Sequence, residues 1–347
     1  GKYKAQIVTD SGIFVTDEIT VEIIRLSEPV NLDPIFYSYT GTVQEYVVTN
    51  EVNKIKAKCW GGAGGAGNGG NGGAGGYVEG DISVLPGETL HIVVGQGGVS
   101  KGPPQSANGA GGGLSGIFSV WNTNRDETHA GAIMVAGGGG GGGSSALAGG
   151  CGGGETGGSV ISSHRPGTQT SGGVWPGKNG GSAGISGTKL SGGYGGGGAQ
   201  SVGHSGWPQE VWGGKYGVAG GGDGQNAAGG GGGYYGASGG TDLNGNGGSA
   251  AGGSGYVGGD STHSVTNALN LISSQNANSL NPPKTDDEHY QANVGVARNT
   301  SASVNQRSYN GLVVLIPTGN STPELSFDGY NKLTIENIPS NSTTTLQ

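Results

Sequence analysis

Apolar and polar residues alternate along several short stretches of the chain, the pattern of strands that bury one face. The clearest stretch is Lys54-Ile55-Lys56-Ala57-Lys58-Cys59, whose lysines we expect to face water. Further strands are predicted at 35–39, 43–48, 77–85, 89–95, 117–121, 132–136 and 312–317, and the turn Pro86-Gly87 separates two of them. These elements predict an all-β fold, a β-sandwich. A short helix is expected within 266–283, because Pro282-Pro283 would end one.

The last two of these strands are separated by residues 137–311, so a long glycine-rich insertion must return to the same sandwich. Strand patterns also occur before and after it, at 5–9, 13–15, 19–23, 324–327 and 332–335. We therefore divide the chain into three parts. Residues 1–29 resemble the C-terminal hairpin of an immunoglobulin-like β repeat, 30–317 form the glycine-rich sandwich, and 318–347 resemble the start of a further β repeat.

Glycine accounts for 83 of the 347 residues, and its tracts lie within 61–259. Between Gly61 and Tyr77 the residues other than glycine recur almost every third position. Three residues per turn is the period of an extended left-handed helix, whose backbone groups point outward to neighbours. Collagen shares that period but needs abundant proline, and this chain has only 13 prolines. The tracts therefore predict a bundle of polyglycine II helices inserted in the sandwich.

Charge and composition argue against several classes of function. The net charge is −8 with no cluster of Lys or Arg, so nucleic acid is not an expected partner. No apolar run is long enough for membrane insertion. The histidines lack metal-ligand spacing, and the cluster Asp286-Asp287-Glu288-His289 is expected in a solvated loop. We expect no enzyme activity, cofactor or metal. Cys59 and Cys151 are either two free buried thiols or a disulfide.

Aromatic and basic residues cluster in two loops between the glycine tracts. Binding residues concentrate on loops that a rigid scaffold holds, and exposed Trp and Tyr stack on sugars or protein surfaces. The alternative is that these rings cap the ends of the glycine helices. The candidate receptor-binding residues are Trp175, Trp207, Trp212, Tyr216, His164 and Arg165. Tyr194, Tyr234 and Tyr235 lie within glycine runs and are interpreted as packing residues.

Several segments together resemble the Gly-rich domain superfamily. They include Trp60-Gly61-Gly62-Ala63-Gly64-Gly65, Pro86-Gly87-Glu88-Thr89-Leu90 and Met134-Val135-Ala136-Gly137-Gly138. This superfamily includes the glycine-rich module of anaplastic lymphoma kinase receptors and many phage, viral and bacterial surface-fibre proteins. The resemblance implies a jelly-roll sandwich, like that of tumour necrosis factor, with inserted polyglycine II helices. That receptor module is rich in cysteine and this chain is not, which favours a viral or microbial source.

The expected function is a structural and adhesive module of a viral or microbial surface fibre. It would lie outside the cell or on a virion surface and present its loops to a cell-surface receptor, either a glycan or a protein. The alternative is a purely architectural fibre or capsid-associated assembly module whose loops contact neighbouring subunits. A homo-oligomer is compatible with either function.

Overall fold

A computed structural model describes most of the sandwich, part of its glycine tracts, and the backbone of strands near both ends of the chain. The described residues between the terminal strands are 33–50, 52–101, 108–144, 146–160, 165–173, 188–190, 228–240, 242–243, 246–274 and 279–319. The elements are β1 (Lys2–Tyr3), β2 (Gln6–Thr9), β3 (Gly12–Val15), β4 (Ile19–Ile23), β5 (Leu26–Ser27), β6 (Val30–Asn31), β7 (Ile35–Tyr37), β8 (Gln44–Val47), β9 (Val52–Trp60), β10 (Tyr77–Ser83), β11 (Thr89–Val93), β12 (Ser115–Phe118), α1 (Arg125–Ala130), β13 (Ala132–Ala136), β14 (Asp242–Leu243), β15 (Asn246–Gly247), β16 (Val265–Leu271), β17 (Leu312–Gly319), β18 (Glu324–Phe327), β19 (Lys332–Glu336) and β20 (Ile338–Pro339).

Two antiparallel sheets pack against each other, so the predicted all-β sandwich is confirmed. One sheet has the strand order β16-β10-β9-β17-β6, with β7 also paired to β17, and the other has the order β13-β12-β11-β8. Ile55 and Leu315 from the first sheet share a buried cluster with Leu90, Ile117 and Ile133 from the second. The alternation of apolar residues along each strand places these side chains in one core.

The turn between β10 and β11 carries the chain from one sheet to the other. Glu88 N–H donates to the carbonyl of Leu85 at 3.3 Å, and Gly87 has a φ of +83°. A β-turn with Pro at its second position and a positive φ at its third needs glycine there. Pro86-Gly87 therefore fits this turn, as the sequence predicts.

The glycine tracts among the described residues are largely buried and carry no helix or strand over most of their length, yet hydrogen bonds tie their backbones together. Each N–H of residues 138–143 donates to a carbonyl of a neighbouring segment. Consecutive residues donate to different segments, and residues three positions apart donate to the same one. The acceptors, in chain order, are Gly232, Gly62, Gly150, Gly229, Gly65 and Leu147, at 2.7–3.0 Å.

The carbonyl groups of this tract follow the same rule. The donors to residues 137–142, in chain order, are Gly76, Gly253, Gly112, Gly73, Ala250 and Gly109, at 2.7–3.0 Å. The N–H groups of the tract 137–143 point in three directions and reach three segments, and its carbonyl groups reach three others. The tract is thus bonded to six surrounding segments. The three-residue period seen in the sequence reappears as the period of backbone bonding.

The strands near the two ends of the chain pair with each other. β4 and β19 are parallel neighbours in the sheet β1-β4-β19-β18, and β5 pairs with β20. β6 also pairs with β17 of the sandwich, so the chain enters and leaves the glycine-rich part along one sheet. The division into 1–29, 30–317 and 318–347 stays a prediction. Strands of the first part pair with strands of the last part.

One local prediction is wrong, and one short helix was not predicted. Residues 265–271 form the edge strand β16 instead of part of a helix, because they pair along β10 from Tyr77 to Ile82. A register shift interrupts this pairing, and Asn267 there has a φ of +51°, which Asn tolerates better than most residues. The short helix of the described residues is α1, which Asn124 caps by accepting a hydrogen bond from Asp126 N–H.

Candidate functional site

Most of the predicted receptor-binding residues lie outside the described residues, namely His164, Trp175, Trp207, Trp212 and Tyr216. Arg165 is described, and its side chain is exposed. Tyr194 also lies outside the described part of the chain. The structure does describe the residues that flank the segments containing them, at 173 and 188 and at 190 and 228.

The ends of segment 174–187 both attach to Gly236. Gly173 N–H donates to the Gly236 carbonyl at 2.9 Å, and Gly236 N–H donates to the Thr188 carbonyl at 2.9 Å. Just before this segment, the Arg165 carbonyl accepts from Ser238 N–H at 2.9 Å. The two ends of the stretch that contains Trp175 are therefore held at one point of the glycine scaffold.

The preceding residues are fixed by side chains as well as by backbone. Gln169 Nε2 donates to the carbonyl oxygens of Glu155 and Gly255, at 3.0 and 2.8 Å. Thr168 closes a turn by donating from Oγ1 to the Ser171 carbonyl at 3.1 Å. Residues 165–173 thus form an anchored strip along the tracts, and the Arg165 side chain projects from it into solvent.

Segment 191–227, which contains Trp207, Trp212 and Tyr216, also starts and ends on the scaffold. Leu190 N–H, just before it, donates to the Tyr234 carbonyl at 3.1 Å. Ala228 N–H, just after it, donates to the Gly248 carbonyl at 2.9 Å.

An aromatic stack supports the first of these two ends. Tyr234 lies between His129 and Tyr256, with ring centroids 4.1 and 3.9 Å apart, and Tyr235 meets His129 edge-on at 4.8 Å. Burial of the imidazole lowers the pKa of His129 to about 4, so this ring stays neutral at neutral pH. Burial and the neighbouring Tyr256 raise the pKa of Tyr234 to about 12. The sequence interpretation of Tyr234 and Tyr235 as packing residues agrees with these contacts.

The role of His129 was not foreseen from the sequence, because helix α1 was not predicted. A signal was available. Asn124 precedes acidic residues at 126 and 127, and its Nδ2 donates to Glu127 Oε1 at 2.8 Å. Asn followed three residues later by Glu is a helix-start pattern. Asp126 on this helix also pairs with Lys189 at 2.6 Å, next to the start of segment 191–227.

The acidic cluster at 286–289 is not a solvated loop throughout, which corrects the prediction. Lys58 is 3% exposed, and its Nζ donates to both carboxylate oxygens of Asp287, at 2.9 and 2.8 Å. His289 Nδ1 lies 3.1 Å from the same Nζ. Burial raises the pKa of Asp287, but the hydrogen bonds from Lys58 and from the His289 N–H, together with the charge of Lys58, outweigh burial and lower that pKa. The prediction that all three lysines of β9 face water is therefore wrong for Lys58.

The reason is that residues 282–296 cover one end of the outer face of the larger sheet. Trp60 Nε1 donates to the Pro283 carbonyl at 3.1 Å, and Tyr290 and Val294 pack on the cluster that contains Trp60 and Leu312. Strand alternation predicts which side of the sheet a residue faces, but it does not predict what covers that side.

The remaining candidate chemistry can be placed briefly. Cys59 and Cys151 are both buried and are not joined by a disulfide, so the structure has the thiol alternative. Burial raises the pKa of both thiols. Within the described residues, no group of three or more His, Cys, Asp or Glu side chains is arranged to hold a metal ion. In that same part of the chain, no helix is long and apolar enough to cross a membrane.

Comparison with known proteins gives one finding. The family model Gly_rich_2, described as a glycine-rich domain, matches residues 38–271. No curated protein matches the chain.

Proposed function

Because this chain belongs to the glycine-rich domain family, we propose that it is a structural and adhesive module of a viral or microbial surface fibre. In this proposal the glycine-rich scaffold stiffens a platform, and the segments 174–187 and 191–227 present a receptor-binding surface. The module works outside the cell or on a virion surface and catalyses no reaction. The observation that carries the proposal is the backbone anchoring at both ends of each segment, at Gly173 and Thr188 and at Leu190 and Ala228.

The scaffold of this proposal is a polyglycine II bundle on a jelly-roll sandwich. Its support is the three-residue period of the bonds around 137–143, with N–H and C=O groups directed to six neighbouring segments. An extended helix of three residues per turn makes no internal hydrogen bonds and has this outward arrangement. At its closely packed glycines such a lattice leaves no room for a side chain. A Cβ on Gly139 would lie 2.8 Å from the Ala74 carbonyl oxygen and closer still to that of Gly73.

Rigid support matters because a flexible loop must be ordered when it binds, at a cost of about 0.5–1.5 kcal/mol for each immobilised side chain. Anchoring both ends of a segment removes part of that cost before the receptor arrives. Trp175, Trp207, Trp212, Tyr216, His164 and Arg165 remain the predicted contact residues. Exposed Trp and Tyr provide large flat surfaces for stacking on a sugar or a protein.

A glycan-array screen of the full chain tests the proposal. We expect selective binding that is lost in Trp175→Ala or Trp207→Ala. The control is Phe36→Ala, which removes an exposed ring outside both segments. Because Phe36 does not belong to the predicted surface, this variant should bind like the wild type.

Other outcomes contradict the proposal. Binding that survives both tryptophan substitutions would show that the predicted surface is not the adhesive one. Absence of binding to glycans and to host-cell surface proteins, together with self-association in sedimentation, would favour the architectural alternative.

A further inference from the structure

A cavity of about 560 Å³ opens beside the turn between β10 and β11, away from segments 174–187 and 191–227 in sequence. Glu88 of that turn forms one wall, Glu127 of α1 and Val120 form another, and Asp260 and His263 form a third. We call it the acidic pocket. Three separate parts of the chain meet there, so its shape depends on the folded sandwich.

A hydrogen-bonded network fixes the floor of the acidic pocket. His263 is buried, and its Nδ1 lies 2.9 Å from Asp260 Oδ1 while its Nε2 lies 3.2 Å from Glu88 Oε1. Ser119 Oγ donates to the other Asp260 oxygen. The side chains of His263 and Asp260 are only 5% and 3% exposed. These groups are held in place before any partner arrives, and such preorganisation favours binding.

The charge of the pocket is negative. Its described lining contains three carboxylates, from Glu88, Glu127 and Asp260, and no Lys or Arg. With three carboxylates and no Lys or Arg, the described lining carries a negative net charge. An anionic ligand such as a sulfated or sialylated sugar would be repelled, whereas a cation would be attracted.

Exposed apolar side chains lie around this acidic centre. Val120 lines the pocket and is 40% exposed. Leu85 is 68% exposed and its N–H donates to Glu88 Oε1 at 2.8 Å. Val47 is 58% exposed and is the cross-strand partner of Thr89, which also lines the pocket. A long side chain with a charged end suits such a surface, because its aliphatic stem can lie on the apolar atoms while its charge meets the carboxylates.

We propose that the acidic pocket binds a lysine or arginine side chain of a partner protein, flanked in that partner by apolar residues. The cationic group donates hydrogen bonds to Glu88 and Glu127, and its aliphatic stem lies along Val120. The flanking residues contact Leu85 and Val47. The proposed contacts use no residue of segments 174–187 and 191–227, so either proposal can fail without the other.

Fluorescence anisotropy on the full chain tests this inference. The probe is a labelled peptide, Gly-Val-Lys-Leu-Gly, compared with the same peptide carrying Nε-acetyl-lysine, which keeps the length but loses the charge. We expect the lysine peptide to bind at least tenfold more tightly than the acetylated one. Its affinity should also fall as salt rises, since the contact is ionic.

Two matched variants locate the site. Glu127→Gln removes the charge and keeps one of the two side-chain bonds that Glu127 accepts, from Asn122 Nδ2 and Asn124 Nδ2 at this exposed position, so it should fold and weaken binding of the lysine peptide about tenfold. Glu155→Gln removes an exposed carboxylate outside the pocket and should leave binding unchanged. Equal binding of the two peptides, no binding at millimolar peptide, or equal effects of the two variants would overturn the inference. So would binding of neutral sugars in the pocket with none of the peptide.

Discussion

Adding one methyl group to the centre of a glycine tract should destabilise the protein strongly. In Gly140→Ala, the new Cβ would lie 2.5 Å from the carbonyl oxygen of Ala251 and closer still to that of Ala250. Both oxygens are backbone atoms, so the clash cannot be relieved by turning a side chain. The tract 137–143 must move away from its neighbour, and the hydrogen bonds that Gly140 makes to Gly150 and Gly73 are strained or lost.

The size of the effect follows from the bonds at risk. Gly140 N–H donates to Gly150 at 2.8 Å, its carbonyl accepts from Gly73 at 2.9 Å, and Gly150 N–H donates to Ala250 at 2.9 Å. Leaving two or three buried groups unpaired costs about 3–6 kcal/mol, at about 1.5–2 kcal/mol for each group. Alanine restricts the unfolded chain and offsets about 0.4–1 kcal/mol of this. We therefore expect a net loss of about 2–5 kcal/mol, a large part of the usual stability of about 5–15 kcal/mol.

Equilibrium urea unfolding of the full chain measures this loss. The matched control is Gly69→Ala, which makes the same substitution at an exposed position of another tract and should change the free energy of unfolding by less than about 0.5 kcal/mol. If Gly140→Ala and Gly69→Ala have the same small effect, the tracts are not closely packed and the reasoning is refuted.

Three further predictions concern buried polar groups. Asp287→Asn should lower the free energy of unfolding by about 3–5 kcal/mol, because buried Lys58 would keep only the exposed Glu288, 4.0 Å away, as a counter-ion; a loss below about 1 kcal/mol in urea unfolding would contradict this. Hydrogen bonds from Ser119, Thr262 and His263 outweigh burial and lower the pKa of Asp260 to about 2. The ionised carboxylate therefore contributes to the free energy of unfolding in full above about pH 4, and this contribution is lost as the pH falls through 2. Thermal melts should show a loss of about 2 kcal/mol over that window, and Asp260→Asn should abolish this part of the pH dependence. At pH 8, iodoacetamide should leave Cys59 and Cys151 unmodified in the folded protein and alkylate both in urea without reductant, as mass spectrometry would show; alkylation that requires a reductant would mean a disulfide.

The sandwich could be predicted because strand periodicity reports burial directly. Ile55, Ala57 and Cys59 alternate in the sequence and are all buried in the core. The three-residue spacing of the first glycine tract was equally informative, because only glycine permits backbones to approach so closely. Both signals are local, and each repeats over enough residues to stand out from chance.

What could not be predicted depends on distant partners. Lys54 and Lys58 have the same place in the strand pattern, yet only Lys58 is covered, by residues more than two hundred positions later. Residues 265–271 became a strand because the edge of β10 was available to pair with them. The parallel pairing of β4 with β19 likewise joins opposite ends of the chain. No local pattern encodes such pairings.

The candidate sites also include a part that the sequence indicated and a part that it did not. The sequence singled out aromatic residues in loops between glycine tracts, and the structure describes the anchored ends of those loops. The acidic pocket joins Glu88, Glu127 and Asp260, which are well separated in sequence and belong to no motif. Its negative charge became apparent only once the turn, the helix and the loop were placed together.

Amide hydrogen exchange across the described tracts, above all 61–76, 137–143 and 248–255, tests the central claim most directly. If the tracts form a hydrogen-bonded scaffold, their amides should exchange with free energies close to that of global unfolding, like those of the core strands β9 and β17. Exchange at random-coil rates in the tracts, with protection confined to the strands, would contradict the account. The proposal of a rigid platform for receptor binding would then be wrong as well.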